Sequence, residues 1–279
     1  MKKWHASDII EKVVVYIVLL LVVLITIYPI LWMISGSLKG SNEFYTNVWG
    51  IPSVFHFENY VQAWQQGGLG QKYINSLIVT GGFLMIILPC NCCAAYAISR
   101  MRFKGRKFIS TYLMMGIMIP NGVLVIPIFC VSMKLGLNNT LVGLILVYAA
   151  QNISFGSFLM KSFFISLPRG LEEAAMIDGC SRFRSFLSVI LPLTVPGIMT
   201  QIVYCGLNTW NEYMLASVMI RKTSLKTLPL GLEVFVNDYN SNLPVMFAAL
   251  VCVTLPLVIV YLIAQKTFIE GMTAGAIKG

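Results

Sequence analysis

The chain has 279 residues, of which 57% are hydrophobic and only 11% are charged. A soluble domain carries about 25% charged residues, so this composition excludes an ordinary soluble protein and points to a membrane one. A net charge of +9 would suit nucleic-acid binding, but the bases lie in the links between apolar runs, where membrane topology accounts for them.

Met1-Lys2-Lys3 ahead of an apolar run imitates a signal peptide. The run from Val13 to Ile34 is too long for an h-region of about 7–15 residues, and no A-x-A site follows, so it reads as a first membrane helix. Six spans are expected, near 13–36, 74–98, 108–132, 141–161, 186–216 and 244–265. They define an all-α membrane protein with six transmembrane helices. Its segments are 1–73 (amino end, first helix and outer loop), 74–265 (core) and 266–279 (tail). No internal repeat, low-complexity tract or soluble domain is visible.

The links set the orientation. Fourteen bases fall on one side: Lys2, Lys3 and Lys12, a cluster of five from Arg100 to Lys107, then Lys161, Arg169, Arg182 and Arg184, and finally Lys266 and Lys278. Six fall on the other: Lys39, Lys72, Lys134, Arg221, Lys222 and Lys226. This bias places both termini and the 162–185 link in the cytoplasm.

Within the spans the informative residues are polar groups, prolines and thiols. The first link carries Phe57-Glu58-Asn59-Tyr60. Cys90-x-Cys92-Cys93 follows in the second span, but the only histidines, His5 and His56, are distant in sequence, so small thiols packed against a neighbouring helix account for it better than a metal site. No cysteine pair lies in an outer loop, which argues against a disulfide framework. Pro120-Asn121-Gly122 predicts a break inside the third span, and Pro89, Pro127, Pro192, Pro196 and Pro256 interrupt others. Asn91, Asn121, Gln151, Asn152, Asn208, Asn211 and Glu212 all fall inside predicted helices, where such groups face a protein interior or a wet cavity. The spacing of Asn208, Asn211 and Glu212 puts them on one helical face. Amides, a carboxylate and aromatic rings suit a sugar, whose hydroxyls need partners; the competing reading is that these groups bond neighbouring helices. The expected substrate path is Asn121, Gln151, Asn152, Asn208, Asn211 and Glu212.

Leu167 to Pro192 is the longest charge-bearing interruption in the second half of the chain, and it reads as helix, turn, helix. Pro168 suits a first helical turn. Glu172 and Glu173 complement the positive end of the dipole, and Ala174 and Ala175 favour helix. Asp178-Gly179 ends the helix, with glycine in the left-handed position. Ser181 then caps a second helix with Phe183, Phe186, Leu187, Ile190 and Leu191 at helical spacing.

Glu173-Ala174-Ala175, Gly179 and Val189-x-Leu191-Pro192 resemble the EAA loop of ABC importer permeases, Val189 standing where that family often has isoleucine. Phe57-Glu58-Asn59-Tyr60 and Trp210-Asn211-Glu212-Tyr213 resemble short patterns of sugar-type permeases. The ending Gly271-Met272-Thr273-Ala274-Gly275-Ala276-Ile277-Lys278-Gly279 resembles that of the second permease subunit of maltose-permease-like carbohydrate importers. The resemblance covers nearly the whole chain from Phe57 onward. It implies a type I ABC importer transmembrane fold in a bacterial inner membrane, and a cytoplasmic coupling helix that docks on an ATPase through Glu172, Glu173, Ala174, Ala175, Asp178 and Gly179. The implied partners are a second permease subunit, two ATPase subunits that hold ATP and Mg, an extracytoplasmic solute-binding protein and a sugar. The chain itself has no Gly-Lys dipeptide, hence no phosphate loop, and is expected to hold no cofactor and to be no enzyme. A self-contained secondary transporter would show inverted repeats and ion-coupling carboxylates. An intramembrane enzyme would need an acid/base pair, and Glu212 is the only carboxylate expected inside a span.

Overall fold

The computed structural model describes residues 6–236 and 242–276. Lys2, Lys3, His5 and the last three residues of the tail motif lie outside the described residues. Among the described residues there is no β-strand. The chain packs into two compact units, Met1–Gly68 with Leu232–Thr254, and Leu69–Gly231 with Leu255–Gly279.

In the first unit, α1 (Ala6–Ser37) is a long apolar helix that is exposed over residues 12–31, as a lipid-facing span requires, and packed at its last turn. Two short helices follow, α2 (Ser41–Thr46) and α3 (Glu58–Gly67). Asn59 of the F-x-N-Y pattern is buried, and its amide donates to Ser37 O and Lys39 O, both at 2.9 Å, satisfying carbonyls just past the last turn of α1. Tyr60 Oη hydrogen-bonds Ser37 Oγ at 2.7 Å. The loop between α2 and α3 is fastened by Glu43. It accepts from Ser53 N–H at 2.6 Å, which holds its carboxyl below the usual carboxylate range.

The second unit is built on α4 (Leu69–Arg100), α5 (Arg106–Met118), α6 (Asn121–Lys134) and α7 (Leu141–Ser166). Then come α8 (Gly170–Ile177) and α9 (Arg182–Ser185). A π-helical stretch, Phe186–Ile190, leads into α10 (Leu191–Leu193), followed by α11 (Val195–Trp210) and α12 (Met214–Met219). Helix α13 (Leu228–Gly231) belongs to this unit and α14 (Glu233–Val236) to the first; α15 (Leu243–Ala276) closes the chain. Two apolar clusters join α4 to α7. One includes Phe83, Ile87, Leu144 and Tyr148; the other includes Tyr96, Met160, Phe164, Phe186 and Ile190.

Among the described residues four helices are long and apolar enough to span a membrane, and the number rises to six when each of two bent pairs is taken as one span. The third span is broken as Pro120 predicts: α5 and α6 meet at 106°. Ile119 is extended, the conformation a following proline favours, and Pro120 precedes α6. The fifth departs from the expected continuous 186–216. It bends by 70° at Thr194 and ends at Trp210. Pro192 and Pro196 lack the N–H that would continue the ladder, so the preceding turns adjust, first as the π stretch and then as the bend. The cysteines also depart from expectation. Cys92 and Cys205 are buried, but Cys90, Cys93 and Cys130 are exposed.

Candidate functional site

A cavity of about 400 Å³ lies in the second unit between the α5–α6 corner, the middle of α7 and the end of α11. Asn121, Gln151, Asn152, Asn208 and Glu212 line it, together with Tyr148, Phe155, Tyr204 and Thr209. Asn211 does not. It sits at the C-cap of α11, because the helix stops there and the expected common face with Asn208 and Glu212 is lost.

Glu212 lies in the link between α11 and α12, not in a helix. Its Oε1 accepts from Leu215 N–H at 2.7 Å, and its Oε2 accepts from Ala216 N–H at 3.0 Å and from Tyr148 Oη–H at 2.5 Å. The carboxylate therefore caps the first turn of α12 and ties it to α7. Asn152 and Asn208 each donate one amide N–H to the carbonyl one turn earlier, Tyr148 O at 2.9 Å and Tyr204 O at 2.7 Å. The Gln151 side chain makes no hydrogen bond among the described residues. The Phe155 and Tyr204 rings lie 4.5 Å apart at 31°, an aromatic wall. No lysine or arginine lines the cavity. Sequence reasoning missed Tyr148, Phe155 and Tyr204. The i, i+3, i+4, i+7 spacing of Tyr148, Gln151, Asn152 and Phe155 was the signal that one face of α7 is polar and aromatic.

The second candidate element is the α8 loop of the same unit. The helix begins at Gly170, so Pro168 stands before its first turn and not inside it. It closes with Cys180 N–H on Ala175 O at 3.0 Å and Gly179 N–H on Met176 O at 3.2 Å, a Schellman motif that requires the φ of +82° at Gly179. Ser181 Oγ accepts from Arg184 N–H at 3.3 Å, capping α9. Glu172 turns inward: its Oε2 lies 3.4 Å from Arg100 Nη1, and the two side chains are only 13% and 4% exposed. Arg100 Nη2 also donates to Leu167 O at 2.5 Å and to Phe164 O. One guanidinium from the end of α4 thus fastens α8 to the end of α7. Sequence reasoning counted Arg100 only as a topology base. Ala175 is likewise buried, at 7% exposure, while Glu173, Ala174, Asp178 and Gly179 face outward beside Ile177, which is 85% exposed.

The chain matches the family described as binding-protein-dependent transport system inner membrane component over residues 91–273. It is 36% identical over 278 residues to YurM of Bacillus subtilis, a probable ABC transporter permease protein, covering 100% of this chain and 91% of that one. Identity to NgcG of Streptomyces coelicolor, a diacetylchitobiose uptake system permease protein, is 31% over 256 residues, covering 91% and 85% respectively. A chain in the crystal structure of a bacterial ABC transporter that imports the acidic polysaccharide alginate superposes with a TM-score of 0.86 at 26% identity, covering 96% of this chain and 100% of that one.

Proposed function

The chain belongs to the family of binding-protein-dependent transport system inner membrane components, and from that premise we propose how it carries its cargo and where it takes its driving force. As a membrane-spanning permease subunit of an ABC importer it is not itself an enzyme; ATP hydrolysis belongs to partner subunits. On our reading, residues 1–73 hold the first span and outer loop, 74–265 the transport core and 266–279 the tail, with both termini cytoplasmic.

The cargo is a sugar or oligosaccharide. What supports this is the lining of the cavity: amides that both donate and accept beside an aromatic wall, with no base and with the one carboxylate occupied by its own chain. Such a lining suits a neutral saccharide. The uptake of diacetylchitobiose by a relative is consistent with that choice.

The driving force enters through α8. The observation that carries this reading is its two-faced construction. Arg100 holds the inner face through Glu172, while Glu173, Ala174, Ile177 and Asp178 stand free. An ATPase subunit docks on that outer face, and its differential contact in two nucleotide states moves α4 and α7. The complete importer holds a second permease, two ATPase subunits with ATP and Mg, and an external solute-binding protein. Transport assays with a panel of neutral and acidic oligosaccharides test the cargo. Gln151→Leu should raise the half-saturating concentration of a neutral sugar about tenfold, the value of one lost hydrogen bond of about 1.4 kcal/mol. Preference for an acidic sugar, or an unchanged response of the variant, contradicts the reading.

A further inference from the structure

A second cavity, about 830 Å³, lies where α4 ends, α5 begins and α7 passes. Four bases line it, Arg102, Arg106, Lys107 and Lys161, and no carboxylate does. Two of them are anchored. Arg106 Nε donates to Ile98 O at 2.7 Å and its Nη2 to Ser99 O at 3.4 Å, pinning the guanidinium to the end of α4. Lys161 Nζ donates to Ser110 Oγ at 2.8 Å, bringing an ammonium across from α7. Arg102 and Lys107 are exposed and make no ion pair among the described residues. Four like charges around one opening repel one another unless an anion lies between them.

The rest of the wall is largely apolar. Phe103 and Phe108 line the opening, and the 73%-exposed Phe108 ring is stacked on Tyr112 one turn further along α5, with centroids 6.4 Å apart. Helix α5 buries none of its side chains. A positive pocket therefore opens beside a bare aromatic strip that runs along a membrane-spanning helix. It lies on the same membrane face as the α8 loop, because Arg100, two residues before Arg102, holds Glu172.

We infer that this pocket binds the headgroup of an anionic phospholipid, its phosphate among Arg102, Arg106, Lys107 and Lys161 and its acyl chain along Phe108 and Tyr112. Bases tethered by neutral oxygens keep their full charge for a ligand, and basic pockets between spans are suited to anionic headgroups. The site is separate from the transport cavity and from the outer face of α8, so it stands or falls independently of the proposed function.

The test is native mass spectrometry of the importer purified through this chain and titrated with phosphatidylglycerol or with phosphatidylcholine of the same acyl chains. Phosphatidylglycerol should bind more tightly. An Arg102→Gln, Lys107→Gln double variant, which alters two exposed and untethered side chains, should lose affinity for phosphatidylglycerol roughly 30-fold and leave phosphatidylcholine unaffected. Lys104→Gln, exposed and outside the pocket, should behave as the wild type and shows that a lost charge alone is not sufficient. Equal affinity for the two lipids, or undiminished phosphatidylglycerol affinity in the double variant, would overturn the inference. Competition by inorganic phosphate that displaces phosphatidylglycerol would assign the pocket to a free anion and overturn the lipid assignment too.

Discussion

Both carboxylate oxygens of Glu212 are occupied from within the chain. A carboxylate in a span reads from sequence as a functional group, because burying charge is costly. Here the cost is met by three donors, and the group acts by positioning α12 against α7. This makes Glu212 and Asn208 separable, although they line one cavity. Glu212→Gln removes the charge and turns one acceptor into a donor that faces backbone N–H groups, so it should destabilise the folded chain by about 2 kcal/mol, within the range for hydrogen bonds to charged groups. Asn208→Ala loses only a local bond to Tyr204 O and should leave the melting temperature unchanged while altering transport. Thermal melts of the two purified variants decide this; equal stability would return Glu212 to the role of a free cavity ligand. The polar residues of the cavity were legible one by one, since each is an anomaly in apolar sequence. Their partners were not, because Tyr148 and Arg100 only gain meaning when a distant backbone arrives beside them.

Among the elements, proline and glycine carried the legible information. Pro120 marked the 106° corner, and Asp178-Gly179 marked the end of α8. The 70° bend at Thr194 was less legible, because Pro192 and Pro196 are compatible with a continuous kinked helix and tertiary packing decides the angle. Extending the fifth span through Glu212 followed from apolar composition alone, and it produced the false common face for Asn211. The direction of α8 was also hidden. A helix of eight residues has too few turns to reveal which alanine faces inward, and Ala175 proved to be the buried one. Gly179 offers the cleanest test at this scale. A β-carbon there would meet nothing within 4 Å, so substitution acts through φ alone. Gly179→Val should cost at least ~1–2 kcal/mol locally, re-aim α8 relative to α9, and abolish transport while the chain still inserts. Wild-type uptake by an inserted Gly179→Val chain would show that the turn geometry is dispensable.

The membrane-spanning class of the whole molecule was readable from composition, and its orientation is proposed from charge asymmetry. Reporter fusions after Gly68 and after Gly279 should report opposite compartments, the second of them cytoplasmic; a shared compartment would break the six-span topology. On the proposed mechanism, force enters through the outer face of α8. The most direct measurement is ATP hydrolysis by the purified importer, with and without loaded solute-binding protein, in an Ala174→Trp variant. Ala174 is exposed, so the indole adds bulk at the proposed docking face without disturbing the inward packing of Ala175 and Glu172. The expected result is a chain that inserts normally and an importer whose stimulation by loaded binding protein falls at least about tenfold, equivalent to ~1.4 kcal/mol of lost coupling. Stimulation at the wild-type level in a correctly assembled Ala174→Trp importer would contradict it.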